Sequence, residues 1–236
     1  MTNTEIIDLI CEDLKTVANV RHKTLGVPTF KTNLTWLGVN AAQLRKAVNN
    51  WTDILHDLTV ARWVDLAIAL SQAGIFECQI FAYELLWKNK KLLKALNEGQ
   101  ILALGRGLDN WASTDTYSTM IAGWHWREGT LSDQQILAWL KSNNRWMRRV
   151  AVVCTVPLNL RSKGGTGDAE RTIMICEQVV DDRDDMVVKA LSWALRELSK
   201  SDSHAVAKFI KKHGDRLHAR VRREVTTKLE TGRKNG

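Results

Sequence analysis

Trp111 and Asp115 form the pair in this sequence whose residue types and spacing could most directly support a reaction. Residues four apart on a helix share one face, one turn from each other, so the indole and the carboxylate would be neighbours. A carboxylate beside an indole is costly to bury unless a cation visits, because a buried unpaired charge loses its hydration. The pair therefore predicts a site for a cationic group. The alternative is that Asp115 caps a helix starting at residue 116.

Two arginines and a second tryptophan are further candidates, and their surroundings suggest contact with phosphate. Arg148 and Arg149 lie in the first turns of an otherwise apolar helix, and the planar guanidinium is a preferred phosphate ligand. Trp193 has Lys189 and Arg196 beside it at helical spacing. Each feature is also compatible with an ordinary helix surface, so none of them identifies a ligand alone.

The positive charge of the chain is concentrated in two stretches. The net charge is +8 and the pI is near 9.4, which favours a polyanionic partner such as nucleic acid or an acidic membrane surface. Residues 141–163 hold six Lys or Arg and no acid, and residues 208–236 hold ten against three acids. Basic residues often only solvate helix faces, but two acid-poor clusters in one chain favour a surface that follows phosphates.

The elements that position these residues are predicted to be helices, because helical periodicity runs through almost the whole chain. Only 2 prolines occur in 236 residues, which fits a mostly helical chain because proline breaks helix interiors. Helix pairs begin near residues 41, 76, 113, 145 and 184, roughly every 35 residues, which is close to the period of HEAT-type repeats.

The predicted fold is all-α, a HEAT-like helical-repeat superhelix (a curved solenoid) with a basic concave face. The chain is expected to form a single domain over residues 1–236, with a basic C-terminal helical segment at 208–236. Loops are predicted at 23–36 and 158–168. The second of these contains three glycines but lacks the spacing of a phosphate-binding loop and follows no strand.

Metal and cofactor chemistry have little support in the sequence. The four cysteines lie far apart with no CxxC pair, and the six histidines show no HExxH-like spacing. We therefore expect reduced thiols, no metal and no organic cofactor. The acidic N-terminal stretch is unlike a signal peptide, and no apolar run approaches the roughly 20 residues of a membrane span. A cytoplasmic protein without membrane contact is expected.

Five stretches of the chain, in order, resemble the AlkD-like family of bacterial DNA alkylation-repair glycosylases, which are built from HEAT-like repeats. The stretches are LGVNAAQLRK from residue 37, FECQIFAYELL from residue 76, WASTD from residue 111, WMRRVA from residue 146 and KALSWALRELSK from residue 189. The last is the most specific, and the Trp-x-x-x-Asp spacing is the one tied to activity.

The resemblance implies a role for each candidate residue. Asp115 would be the catalytic carboxylate, and Trp111 and Trp193 would flank the sugar and backbone of the damaged nucleotide. Arg149, or alternatively Arg148, would contact phosphate. The resemblance also implies that the lesion is engaged through the DNA backbone, without the extrusion pocket that most glycosylases use.

Two positions depart from the family pattern. Ala42 stands where the family usually has Pro, and Ala112 stands where an acidic residue often follows the first Trp. Neither change removes a group assigned to chemistry, although both leave room for a divergent relative.

The predicted function is hydrolysis of the N-glycosidic bond of cationic N3- or N7-alkylated purines in duplex DNA by a monomeric enzyme. An alkylated purine is already a good leaving group, so a carboxylate that stabilises the oxocarbenium-like transition state would suffice. One alternative is a catalytically silent relative that binds distorted or branched DNA backbone. Another is a protein–protein scaffold, for which the basic charge would be incidental.

Overall fold

The structure is a computed structural model that describes residues 1–20, 24 and 30–234. In these residues the regular structure is helical, and a single isolated bridge joins Thr35 to Ile75. The all-α prediction is therefore confirmed. Two compact units divide the chain, Met1–Tyr117 and Ser118–Gly236, and we call them the first and the second unit. Of the predicted loop at 23–36, residues 23 and 25–29 lie outside the described part, and residues 31–36 contain no helix.

The first unit is built from helices whose starts are fixed by side-chain caps. Its described helices are α1 (Asn3–Thr16), α2 (Ala41–Ile54), α3 (Val60–Ser71), α4 (Phe76–Lys88), α5 (Lys90–Lys94), α6 (Glu98–Leu104) and α7 (Trp111–Tyr117). Helices α1, α2 and α6 begin with capping boxes. In each, the side chain of the cap residue accepts from the backbone N–H of the residue three positions later, and that residue's side chain accepts from the backbone N–H of the cap. The pairs are Thr2 with Glu5, Asn40 with Gln43, and Asn97 with Gln100.

The core of the first unit lies between α3 and α4, which pack against each other. Leu66 and Leu70 of α3 and Phe81 of α4 are fully buried there. Two buried tyrosines connect this core to α6 by donating to its carbonyl oxygens. The hydroxyl of Tyr83 donates to Leu104 at 2.8 Å, and that of Tyr117 in α7 donates to Ile101 at 2.9 Å. The last residue of α7 is thereby held against the core.

The second unit begins with a π-helical turn, Ser118–Ala122. Its helices are α8 (Gly123–Arg127), α9 (Asp133–Leu140), α10 (Arg145–Val153), α11 (Val156–Asn159), α12 (Ala169–Glu177), α13 (Asp185–Leu198), α14 (Ser203–His213) and α15 (Ala219–Thr231). The helical stretch predicted to begin near residue 113 is thus divided into α7, the π-helical turn and α8. At Gly123 an added Cβ would come within 2.8 Å of the Cys154 carbonyl oxygen, so glycine permits the close approach at the start of α8.

Helix α13 is central to the second unit, because it packs against both α10 and α15. Val150 of α10, Leu195 of α13 and Val221 of α15 are completely buried. The helix predicted to begin near residue 145 ends at Val153. Helix α11 then follows with a proline in its first turn, where the missing N–H costs nothing. The loop predicted at 158–168 is interrupted by the end of α11 and by a 3-10 turn at Arg161–Lys163.

The four cysteines are free and buried. The sulfur atoms of Cys11 and Cys78 lie 3.2 Å apart, and burial raises the pKa of the Cys154 and Cys176 thiols. In the described residues, no helix combines the length and the apolar character needed to cross a membrane. The same residues contain no group of three or more His, Cys, Asp or Glu side chains arranged to hold a metal ion.

Candidate active site

Helix α7 begins at Trp111 because Asn110 caps it. The Asn110 side chain is fully buried, and its oxygen accepts a hydrogen bond from the Ser113 backbone N–H at 2.9 Å. The Thr114 hydroxyl donates to the Asn110 carbonyl oxygen at 2.7 Å. An asparagine that accepts from the backbone two or three positions later is a strong start signal for a helix. The cap therefore fixes where the first two candidate residues lie.

Asp115 lies inside α7, one turn after Trp111, and is partly exposed. The alternative that it caps a helix starting at residue 116 is wrong, because Asn110 already provides the cap five residues earlier. Helix α7 has the sequence WASTDTY and contains no basic residue. The arrangement predicted from the spacing is therefore present: an indole and a carboxylate on one face of one helix.

Trp111 belongs to a group of four stacked or tilted rings that we call the aromatic cluster: Phe30, Trp36, Phe76 and Trp111. Trp111 stacks on Phe30 with ring centroids 5.0 Å apart, Phe30 stacks on Trp36 at 4.6 Å, and Trp36 stacks on Phe76 at 4.0 Å. Trp111 is 36% exposed. One part of its indole is thus supported by the cluster while another part remains available to a ligand.

Asp109 attaches the segment that carries Phe30 and Trp36 to the start of α7. Its carboxylate accepts hydrogen bonds from the Thr32 hydroxyl at 2.5 Å and from the Asn33 backbone N–H at 2.6 Å. The neighbouring Asn110 amide donates to Asp109 at 3.2 Å. Charged acceptors make shorter and stronger hydrogen bonds than neutral ones, so this contact holds the aromatic cluster against α7.

Glu77 is a completely buried carboxylate that sequence reasoning missed. It accepts hydrogen bonds from three consecutive backbone N–H groups, those of Leu37, Gly38 and Val39, at 2.7–3.1 Å. Gly38 has φ +96°, which only glycine adopts readily, and this lets the consecutive N–H groups converge on one carboxylate. The sequence signal for this buried carboxylate was one acidic residue among the apolar residues at the start of α4. Its partners lie about forty residues away and could not be identified from local patterns.

A cavity of about 500 Å³, which we call the α7 cavity, adjoins the aromatic cluster within the first unit. Its walls combine three rings of the aromatic cluster, apolar residues of α2 and α4, and two residues of α7. The lining residues are Phe30, Trp36, Val39, Asn40, Ala41, Leu44, Phe76, Glu77, Ile80, Glu84, Ala112 and Thr116.

Arg148, in the second unit, is already bound to groups of the protein. Its guanidinium forms an ion pair with Asp182 at 2.8 Å and donates to the carbonyl oxygens of Ser142 and Asn143 at 3.0 and 3.2 Å. These contacts connect α10 to the turn before it and to the segment before α13. Arg148 therefore has a clear structural role.

Arg149 is buried, with only 5% of its surface exposed, and it donates a hydrogen bond to the carbonyl oxygen of Met186 in the first turn of α13. This position differs from the freely exposed arginine that a surface phosphate clamp suggests.

Trp193 lies partly exposed on α13, in a row with basic residues. Lys189, Trp193 and Arg196 recur at helical spacing on the side of α13 that is not buried, and Lys200 follows just after the end of the helix. Burial lowers the pKa of Arg196. Arg196 donates to the Ser192 hydroxyl at 3.3 Å and lies 3.9 Å from the Glu224 carboxylate, which belongs to α15.

Comparison with known proteins identifies the family. The family model described as DNA alkylation repair enzyme matches residues 10–229. The chain belongs to the DNA alkylation repair enzyme family. This confirms the resemblance that the five sequence stretches carry, and it supports an enzymatic role in alkylation repair.

Solved structures agree with the family at the level of the fold. A structure described as a predicted DNA alkylation repair enzyme from Enterococcus faecalis has a TM-score of 0.73 and 18% identity, and the match covers 91% of this chain and 97% of that chain. The structure of AlkD2 from Streptococcus mutans has a TM-score of 0.56 and 15% identity, with 97% of each chain covered. At these identities the likeness shows the shared fold alone. A comparison with curated protein sequences gives no match.

In this member of the DNA alkylation repair enzyme family, the candidate residues fall into two sets. Trp111 and Asp115 share α7 of the first unit, whereas Arg148, Arg149 and Trp193 belong to the packed helices α10 and α13 of the second. Sequence reasoning found the α7 pair through its spacing. It missed the aromatic partners of Trp111, because stacking depends on which segments pack together.

The basic C-terminal segment of this family member contains both paired and unpaired charges. Lys212 and His213 both bind Glu177 of α12, and Arg216 pairs with Asp181. Other basic residues of the segment are exposed and form no ion pair with the part of the chain that the structure describes: Lys208, Lys211, Arg222 and Arg223. These four side chains are available to a polyanion.

Proposed function

We propose that the protein is a DNA glycosylase that hydrolyses the N-glycosidic bond of cationic N3- or N7-alkylated purines in duplex DNA. The observation that carries this proposal is the position of Asp115. It lies in the interior of α7, partly exposed, one turn from the partly exposed Trp111. Family membership in DNA alkylation repair supports the choice of substrate class.

Asp115 would act through its charge. As the bond between C1′ and the purine nitrogen breaks, the electron pair passes to the base and neutralises its ring, while positive charge develops on the sugar. A carboxylate at ~4 Å with an effective dielectric constant of ~20 attracts that charge by about 4 kcal/mol before desolvation costs. Water then forms the new bond to C1′ and releases a proton. Asp115 can orient this water, and no metal or organic cofactor takes part in the proposed reaction.

The tryptophans and arginines would hold the damaged nucleotide. The exposed part of Trp111 offers an indole face to a cationic sugar or base, and cation–π attraction contributes about 0.5–2 kcal/mol. Trp193 and its basic neighbours on α13 fit contact with sugar and phosphate. Arg149, or alternatively Arg148, is proposed as the phosphate contact. We expect the protein to act as a cytoplasmic monomer.

A catalytically silent DNA-binding relative is the second candidate function. The observation that favours it is that Arg148 and Arg149 both donate to groups of the protein itself. Such a protein would bind DNA through its exposed basic residues without releasing a base.

Base release from methylated duplex DNA distinguishes the two functions. We expect the wild-type protein to release 7-methylguanine or 3-methyladenine, and Asp115→Asn to lower the rate by about a hundredfold or more, as loss of a preorganised charge usually does. Asp57→Asn is the matched control, because Asp57 is almost fully exposed and belongs to no site. No release by the wild type, together with salt-sensitive DNA binding, would instead establish the silent relative.

A further inference from the structure

The first unit contains two free thiols in contact with each other, Cys11 of α1 and Cys78 of α4. Their sulfur atoms lie 3.2 Å apart, within hydrogen-bonding distance, although 67 positions separate the two residues in the chain. A disulfide bond is about 2.05 Å long, so a movement of about 1 Å would bring the sulfurs to bonding distance. The proposed glycosylase reaction uses neither thiol.

The packing of α1 and α4 holds the two sulfurs together. Helix α1 buries an apolar face made by Ile6, Ile10 and Leu14, and Cys11 lies beside this face. Cys78 lies in the first turn of α4 and is completely buried. Side chains in a packed core keep one arrangement. The contact is therefore a property of the folded chain and not a chance encounter of exposed thiols.

The contact makes the two thiols chemically unequal. The hydrogen bond from Cys78 lowers the pKa of the Cys11 thiol, against the opposing effect of burial. The same hydrogen bond, together with burial, raises the pKa of the Cys78 thiol. Because the thiolate is the form of cysteine that reacts with oxidants, Cys11 is the nucleophile of the pair. Cys78 is the neighbouring thiol that can attack the oxidised product.

Access from solvent favours the same order of events. Cys11 keeps 6% of its surface exposed, whereas Cys78 has none. Local opening of α1 would widen the access to Cys11, and a small neutral oxidant needs only a narrow path. A hydroperoxide therefore meets the Cys11 sulfur before it meets Cys78.

The two cysteines of the second unit provide a contrast within the same molecule. Burial raises the pKa of both the Cys154 and the Cys176 thiol. The Cys154 sulfur lies 3.9 Å from the Ser118 carbonyl oxygen. Among the described residues, no hydrogen bond joins Cys154 or Cys176 to another thiol. Neither of them has the lowered pKa and the adjacent thiol that Cys11 has.

We propose that Cys11 and Cys78 form a reversible disulfide when the protein meets a hydroperoxide. The Cys11 thiolate attacks one oxygen of hydrogen peroxide, the O–O bond breaks, and a sulfenic acid and hydroxide result. The hydroxide takes up the proton that Cys11 lost. The Cys78 sulfur then attacks the Cys11 sulfur, and the sulfenic hydroxyl leaves as water with the Cys78 proton. The two thiols lose two electrons in all, and one peroxide becomes two waters.

The disulfide would join α1 covalently to the start of α4. That first turn also contains Phe76 of the aromatic cluster and the buried Glu77. A cross-link between distant positions restricts the unfolded chain and thereby stabilises the folded one, more so for a long loop. Oxidation would therefore make the first unit harder to unfold. This inference goes beyond the proposed function and does not depend on it.

The test is peroxide treatment of the full-length protein followed by mapping of its thiols. After the reaction is quenched, free thiols are blocked with N-ethylmaleimide in denaturant, and the digested protein is analysed by mass spectrometry without reductant. We expect a linked peptide pair that contains Cys11 and Cys78 and that dithiothreitol separates. Cys154 and Cys176 should carry N-ethylmaleimide and be oxidised about tenfold more slowly or less, because their raised pKa leaves less thiolate.

Single variants separate the roles of the two thiols. Cys78→Ala removes the thiol that attacks the sulfenic acid, so dimedone should capture Cys11 in its oxidised form. Cys11→Ala should leave Cys78 unmodified by peroxide. Cys154→Ala, at a buried cysteine of the second unit, is the matched control and should form the disulfide as the wild type does.

Measurements on the wild type keep the proposal testable even if a variant misfolds. The urea midpoint of the oxidised protein should lie above that of the reduced protein, and dithiothreitol should restore the lower value. Peroxide treatment in denaturing urea should abolish the preference for the Cys11–Cys78 pair. Absence of this linked pair, equal oxidation of all four cysteines, or the same preference in the unfolded chain would each overturn the proposal. An oxidised midpoint no higher than the reduced one would contradict the stabilising cross-link.

Discussion

Glu77 shows how a single buried residue shapes the candidate site without belonging to the proposed reaction. Its carboxylate accepts from three backbone N–H groups of the segment 37–39, and that segment follows directly on Trp36 of the aromatic cluster. A buried charge is tolerated only when it is fully hydrogen-bonded. The three N–H groups meet that condition, and in return the carboxylate satisfies three buried donors.

Replacing Glu77 by Gln should therefore destabilise the protein far more than an ordinary Glu→Gln change. The amide presents N–H₂ where an acceptor is needed, so we expect a loss of about 2–4 kcal/mol in the free energy of unfolding. Urea unfolding followed by circular dichroism measures it. Glu98→Gln, at an exposed position in α6, is the control and should change little. Equal midpoints for the two variants would contradict the role assigned to Glu77.

Helix α7 has only seven residues, so its position depends on its ends and on what it packs against. Asn110 fixes the first end, and the Tyr117 hydroxyl fixes the last by donating to Ile101. The spacing of Trp111 and Asp115 is thus held by contacts at both ends of the helix.

Asn110→Ala should lower both stability and base release. Loss of an N-cap costs about 1–2 kcal/mol, and misplacement of Asp115 should lower the catalytic rate at saturating DNA rather than the affinity for DNA. Asn97→Ala is a matched control, since Asn97 caps α6 in the same unit. We expect the control to lose similar stability and to keep the rate. A normal rate for Asn110→Ala would show that the cap does not position Asp115.

The contact between α12 and α14 predicts a dependence of stability on pH. Hydrogen bonds from Lys212 and then from His213 lower the pKa of Glu177 below its ordinary value of 4.5. A carboxyl whose pKa is lower in the folded state contributes stability that is fully present above its unfolded value and is lost as pH falls below it.

Glu177→Gln should therefore destabilise the protein at neutral pH and make little difference only at an acidic pH well below 4.5, where the carboxyl is protonated in the folded state as well. Urea unfolding midpoints at the two pH values measure the effect, with Glu170→Gln, an exposed acid of the same helix, as the control. A Glu177→Gln effect of the same size at both pH values would mean that charge is not its cause.

Over the whole molecule, the net charge of +8 is carried largely by the C-terminal segment 208–236, which holds ten basic and three acidic residues, 10 − 3 = +7. Two of these basic residues, Lys212 and Arg216, pair with Glu177 and Asp181. Arg222 and Arg223 of α15 are exposed and form no ion pair with the described residues. The expectation of a single domain over residues 1–236 stays a prediction, as do the monomeric state and the cytoplasmic location.

The double variant Arg222→Gln with Arg223→Gln should weaken binding to duplex DNA and reduce its salt dependence. If both side chains contact phosphate, the slope of log affinity against log salt should fall by about 1.8, or 0.9 for each contact. Lys91→Gln with Lys94→Gln removes the same charge from α5 of the first unit and serves as the control. Equal slopes for the two double variants would mean that the effect comes from net charge and not from phosphate contacts of Arg222 and Arg223.

The sequence by itself determined the features that depend on neighbouring residues. Periodic apolar residues indicate helices, because the backbone hydrogen bonds of a helix join groups four positions apart. The caps that the structure shows at Thr2, Asn40 and Ser132 are equally local. The same locality made the Trp111–Asp115 pair recognisable, and the ordered motifs led to the family. Helix boundaries were less certain. The start of α7 was missed because the cap at Asn110 is completed by a buried network that the spacing of residues does not reveal.

Only the tertiary structure decided which distant residues meet. Three contacts join segments that lie 37 or more positions apart. The Glu77 carboxylate binds the backbone of residues 37–39, Phe30 stacks on Trp111, and Arg149 donates to Met186. Such contacts form because packing excludes water from many side chains at once, and their partners are chosen by shape and by the need to satisfy buried polar groups. No local pattern contains that information, so the α7 cavity became visible only in the folded chain.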